Sequence, residues 1–331
     1  MSFQSGAKSK KAASVALLTV ATVFAGMLGP MQSFVNGRLG TELQDGHAAS
    51  VVSFSVGLIL MLIIVLTQSK LRKAFFELPG HLINGTIPRW NFFAGLCGAT
   101  IVLSEGISVG FLGVAVFQTA LIAGMVISGI VCDRLGIGVP FKQALSAPRV
   151  TGALLAIVAT ILVVAPNWTA PHMIALAVLP FVGGLLAGWQ PAGNSEVGKL
   201  SDSMLVSITW NFLVGFIALG GALLVRVLSG NAEMHLPGVW WMYLGGPLGL
   251  ASIALMALLV RGLGLLLLGL ASTAGQLIGS ILVEIVLPTQ GAALSMFTVI
   301  GAVVALVAAG IAMMPTKKII DEHPELSEIN V

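Results

Sequence analysis

The chain has 331 residues, 57% of them hydrophobic and only 9% charged, with a mean hydropathy of +1.01. A soluble fold of this size keeps a large polar exterior, so the composition excludes one and makes a bilayer the solvent. The net charge of +3 says little about partners, because the basic residues sit in loops; no nucleic-acid partner is expected. Cys97 and Cys132, each alone in an apolar run, suggest neither a disulfide framework nor a metal site.

Residues 1–11 are polar and basic, and an uncharged run from Ala12 to Gly37 follows. This run is too long for the apolar core of a signal peptide. Charge and turn residues then divide the chain into apolar segments of membrane-spanning length. Ten helices are expected, at about 13–36, 47–67, 90–108, 112–132, 148–165, 173–194, 204–226, 239–259, 264–286 and 291–313. Alternation of period two is absent, which argues against strands. The charged tail, 317–331, is expected on the cytoplasmic membrane surface.

The chain repeats itself. Gly26–Gly57 returns, without a gap, as Gly184–Gly215 at a shift of 158, matching Gln32 with Gln190, Asn36 with Asn194 and Phe54 with Phe212. Trp90–Asp133 returns as Trp241–Glu284 at a shift of 151. The chain therefore divides into two five-helix units, 1–166 and 172–316. With an odd number of helices per unit, the second enters the membrane from the opposite side. Basic residues support this: with the N-terminus inside, fourteen Lys and Arg fall on the inner side and two, Arg38 and Arg226, on the outer. The expected fold is an all-α membrane protein of ten transmembrane helices in two inverted five-helix repeats. Both termini are expected to be cytoplasmic. Secondary transporters use such inverted pairs for alternating access.

The pattern G-x-L-x-x-x-Q-x-x-x-N-x-x-L/V-G, the later F-x-V-G and the run Ala274–Glu284 resemble the drug/metabolite transporter superfamily. More narrowly, they resemble a fused form of its small bacterial five-helix inner-membrane branch. The resemblance covers about residues 15–314 and implies small-molecule movement across the inner membrane. Two departures stand out: Met125 replaces a glutamine that Gln276 keeps, and no acid occurs in the first helix, unlike the small multidrug resistance relatives.

Gln32 and Asn36 share a helix face, as do Gln190 and Asn194. Amides in apolar helices either line a wet path or bond helix to helix. With Ser53, Asn211, Trp189 and Trp210 they are the candidate substrate-binding residues. Asp133 and Glu284 are matched acids at helix ends, read either as gates or as interfacial carboxylates, with Arg134 the partner expected for Asp133. Glu105, matched by Met256, is an acid without a repeat partner, expected in the outer part of the third helix, and is read either as the candidate for proton or sodium coupling or as an outer-surface carboxylate. Gln276 joins the coupling and gating candidates.

The five histidines fall in expected loops or helix ends, and no metal-binding, nucleophile-elbow or nucleotide-binding motif occurs. The reading is a secondary transporter of a small metabolite or drug-like compound, with no cofactor and no enzymatic activity. The alternatives are a membrane-embedded enzyme and a structural membrane protein. Substrate, direction, coupling ion and oligomeric state are not legible.

Overall fold

The computed structural model describes residues 15–137, 145–167, 170–231, 236–289 and 294–314. The tail 317–331, the basic residues Lys8, Lys10, Lys11, Lys142, Lys317 and Lys318, and the side chain of Arg261 lie outside them. The described chain is helical, without strands: α1 Val15–Glu42, α2 Gly46–Thr67, α3 Ser69–Asn84, α4 Gly95–Leu112, α5 Val114–Leu135, α6 Ala147–Val164, α7 Pro171–Leu200, α8 Met204–Leu228, α9 Gly245–Val286 and α10 Met296–Ala312. Eight stretches are long and apolar enough to cross a membrane. Two shorter apolar helices, Trp240–Met256 and Met296–Ala312, bring the described spans to ten.

Proline sets the breaks in the first helix of each repeat. α1 is interrupted at Met27, three residues before Pro30, and α7 at Gly188, three residues before Pro191. A proline ring clashes with the carbonyl four residues back and removes one helical hydrogen bond. The next turn is also duplicated. Gln44 and Asp202, equivalent at the shift of 158, both have φ near +50°. The residue after each is an N-cap: Asp45 accepts from the amides of His47 and Ala48, and Ser203 from that of Val206.

Two elements differ from expectation. The loop expected between the second and third spans contains α3. Its Leu71, Phe75, Leu78 and Leu82 recur at helical spacing and pack on Val65, Phe92, Val197 and Val206. Lys70, Arg72 and Lys73 sit at its start, so it is an amphipathic helix too charged to span. The second difference is α9, a single helical run of 42 residues where two helices were expected. The run nevertheless holds two antiparallel spans. Gly245 abuts Asn36 while Pro288, just beyond its other end, accepts from Arg38, so both ends stand beside the same end of α1.

Glycine contacts show the inverted pair in the packing. The Phe54 ring occupies the space a Cβ on Gly215 would fill, and the Phe212 ring does the same at Gly57. The two rings meet at a centroid distance of 5.2 Å. Gly26 lies against Ser272 and Gly275, and its repeat equivalent Gly184 lies against Leu121 and Gly124, their equivalents. The last helices of the two units, α6 and α10, pack through Gly152, Ala156, Ala159, Gly301, Ala305 and Ala308. Without a hydrophobic drive in lipid, such small residues let backbones approach closely enough for dispersion and interhelical contacts to hold them.

Candidate functional site

A cavity of about 200 Å³ lies where the two units meet. Its polar lining comes from both: Gln32 on α1, Ser53 on α2, Glu105 on α4 and Gln118 on α5, then Gln190 on α7, Asn211 on α8 and Gln276 on α9. Phe54 and Phe212 form apolar wall, and Gly98 and Gly249 form matched floor positions. A Cβ on Gly98 would come 2.8 Å from Gln190 Nε2, and one on Gly249 would come 2.9 Å from Gln32 Oε1. The repeated glycines thus make room for the repeated glutamines.

Polar groups behind the lining form two unequal networks. In the second unit, Asn211 Nδ2 donates to Asn194 Oδ1 at 2.8 Å, and Gln190 Nε2 donates to Asn211 Oδ1 at 3.3 Å. Ser207 Oγ donates to the Asn194 carbonyl at 2.6 Å. In the first unit Ser53 replaces the asparagine, and Asn36 turns to Glu105. Its Nδ2 donates to Glu105 Oε2 at 2.6 Å, while Ser33 Oγ donates to Oε1 at 2.7 Å. Gln118 Nε2 donates to Ser33 Oγ at 2.8 Å. Glu105 is 3% exposed. Among the described residues it forms no ion pair. Two hydrogen bonds without a counter-cation leave a buried carboxylate ready for a cationic partner or a proton.

Of the residues singled out in the sequence, Gln32, Ser53, Gln190, Asn211, Glu105 and Gln276 meet at the cavity. Glu105 lies in the interior and not at the outer surface. Asn36 and Asn194 stand one layer behind and orient their neighbours. Trp210 is outside the lining: its indole donates to the Phe92 carbonyl at 2.9 Å, and its ring packs edge-on to Phe75 and Phe92. Trp189 begins the segment after the α7 break and is also absent from the lining. Glu284 accepts from the amides of Val114 at 2.6 Å and Thr289 at 3.0 Å, so it satisfies the start of α5. Asp133 pairs with Arg149 on α6 at 3.0 Å, not with Arg134. Adjacent residues on a helix point about 100° apart, whereas a facing helix presents its side chain directly.

Gln118 and Ser252 are lining residues that the repeat comparison missed, because their equivalents are the apolar Gly269 and Ile101. For Gln118 the signal was present: a lone amide inside an apolar helix. A larger groove, of about 820 Å³, lies between α1 and both ends of α9. Its walls are Met, Phe, Leu and Val with Arg38, Thr41 and Glu42 on the α1 end. It lacks the converging polar groups that distinguish the smaller cavity.

The model of the family described as "Putative inner membrane exporter, YdcZ" matches the chain twice, over residues 17–162 and 175–313. No curated protein matches it. With a ten-span all-α fold and one match in each half, the chain is a multi-pass inner-membrane protein and belongs to this DMT_YdcZ family as a fused two-repeat member.

Proposed function

We propose that the protein is a secondary transporter that carries a small molecule through the cavity between its repeats by alternating access. The observation that carries this reading is the origin of the lining: equivalent residues of two inverted units, Gln32 with Gln190 and Ser53 with Asn211, face one volume. An inverted pair around a single site has two equivalent ways to close, one toward each side of the membrane. The direction is export, in line with the family's description, and the units divide near 166–172. Both termini face the cytoplasm, so a reporter after Asn167 reads the periplasm and one after Met314 reads the cytoplasm.

The test compares cells producing the wild type with cells producing Ser252→Trp, which fills the cavity from a lining position. A solute released by the first and not by the second is the substrate, and counterflow in proteoliposomes then follows it directly. Equal release by both, with the variant melting like the wild type, refutes transport through this cavity.

A further inference from the structure

The cavity has a surplus of acceptors. Glu105 brings a carboxylate without a counter-cation. Gln118 is 1% exposed; its Nε2 is committed to Ser33, and its buried Oε1 has no partner. Both residues line the cavity, and both bond to Ser33, so these acceptors lie close together. Leaving a buried acceptor unmet is costly, and a ligand bringing donors removes that cost. Among the described residues, no Lys, Arg or His lines the cavity. Phe54 and Phe212 also line the cavity, and aromatic rings favour a cation over an anion. At about 200 Å³, the volume falls below the roughly 300–1,000 Å³ of drug-sized pockets.

We propose that the cavity takes a small polar cation, a primary ammonium or guanidinium compound, whose N–H groups bond the Glu105 carboxylate and the free Gln118 Oε1. This rests on the transport reading above and adds the substrate's chemistry to it. An anion would face an uncompensated carboxylate. A neutral molecule could satisfy Gln118 but not the charge. A bulky lipophilic drug would not fit.

The test uses four-carbon probes of matched size on the purified full chain: putrescine, 1,4-butanediol and succinate, with agmatine as the guanidinium example. Binding is read by thermal stabilisation and exchange by counterflow in proteoliposomes. Putrescine and agmatine should bind saturably, with butanediol and succinate at least about tenfold weaker. Gln118→Ala should weaken the cations about tenfold and Glu105→Gln by more, as expected for hydrogen bonds to a charged group. Glu105→Asp, which keeps the charge, should retain the preference for cations and tests the point if Glu105→Gln fails to fold. Butanediol or succinate binding as well as putrescine overturns the proposal. So does putrescine affinity unchanged in both Glu105→Gln and Gln118→Ala, including the case where Glu105→Gln alters only the pH dependence of exchange, for the carboxylate then holds a proton alone. Failure of all four probes also overturns it, while the release experiment with Ser252→Trp decides the transport reading separately.

Discussion

Asn36 Nδ2 donates to Glu105 Oε2 at 2.6 Å, whereas its repeat equivalent Asn194 accepts from Asn211 at 2.8 Å. Met256 occupies the position equivalent to Glu105 and Ser53 that equivalent to Asn211, so the two matched asparagines serve different networks. Removing Asn36 leaves a buried charge one donor short. Removing Asn194 breaks a bond between neutral amides. Asn36→Leu should therefore destabilise by about 2–3 kcal/mol, and Asn194→Leu by about 0.6–1.7 kcal/mol, the range of interhelical hydrogen bonds in membranes. Unfolding in detergent compares them; equal losses would mean that the carboxylate does not depend on Asn36.

The crossed pairs Phe54–Gly215 and Phe212–Gly57 predict matching sensitivity. A side chain at either glycine must displace a buried ring. Gly57→Leu and Gly215→Leu should each cost about 1–3 kcal/mol. A large loss in one and none in the other would contradict the two-fold packing at the cavity wall.

Glu284 should act through stability and not through affinity. Its carboxylate meets the amides of Val114 and Thr289 beside Gly113, whose φ of +79° opens the α4–α5 turn. Glu284→Leu leaves both amides unmet, at about 1–3 kcal/mol each, and Glu284→Gln should lose less. Folded protein of the Gln variant should transport with unchanged apparent affinity. A changed affinity would make Glu284 part of the substrate path.

Asp45 gives a pH dependence. Burial pushes its pKa up, but the amides of His47 and Ala48 and the Arg226 guanidinium, 3.0 Å away, outweigh this and hold it below the ordinary 3.8. A carboxyl with a lowered folded-state pKa stabilises fully above its unfolded pKa, and that stability is lost as pH falls through the folded value. The melting difference between wild type and Asp45→Asn should be constant above about pH 5 and shrink below about pH 4. A difference that grows on acidification would reverse the assignment.

The parts legible in the sequence follow from the cost of polar groups in lipid. Gln32, Gln190 and Glu105 stood out because each interrupts an apolar run, and they meet at one cavity. The repeat supplied partners for what it duplicates and concealed what it does not, which is why Gln118 was passed over. Trp210 has the residue type of a lining position, but its direction depends on α3 and on the turn at Arg89–Phe93. α3 was hidden because its charges fail a test for spans, although its apolar residues recur at helical spacing. The Asp133–Arg149 pair joins two helices across residues 138–144, beyond the reach of local sequence.

Alternating access requires one cavity to open in turn to both sides of the membrane. Ser252 lines that cavity, and Cys97 and Cys132 are both buried. Ser252→Cys, combined with Cys97→Ala and Cys132→Ala, gives a single thiol at the site. It can be challenged with a membrane-impermeant alkylating reagent in right-side-out and inverted vesicles. Labelling is expected from both sides, slowed from each by putrescine. Labelling from one side only, or from neither, in protein that melts like its cysteine-free parent would contradict alternating access.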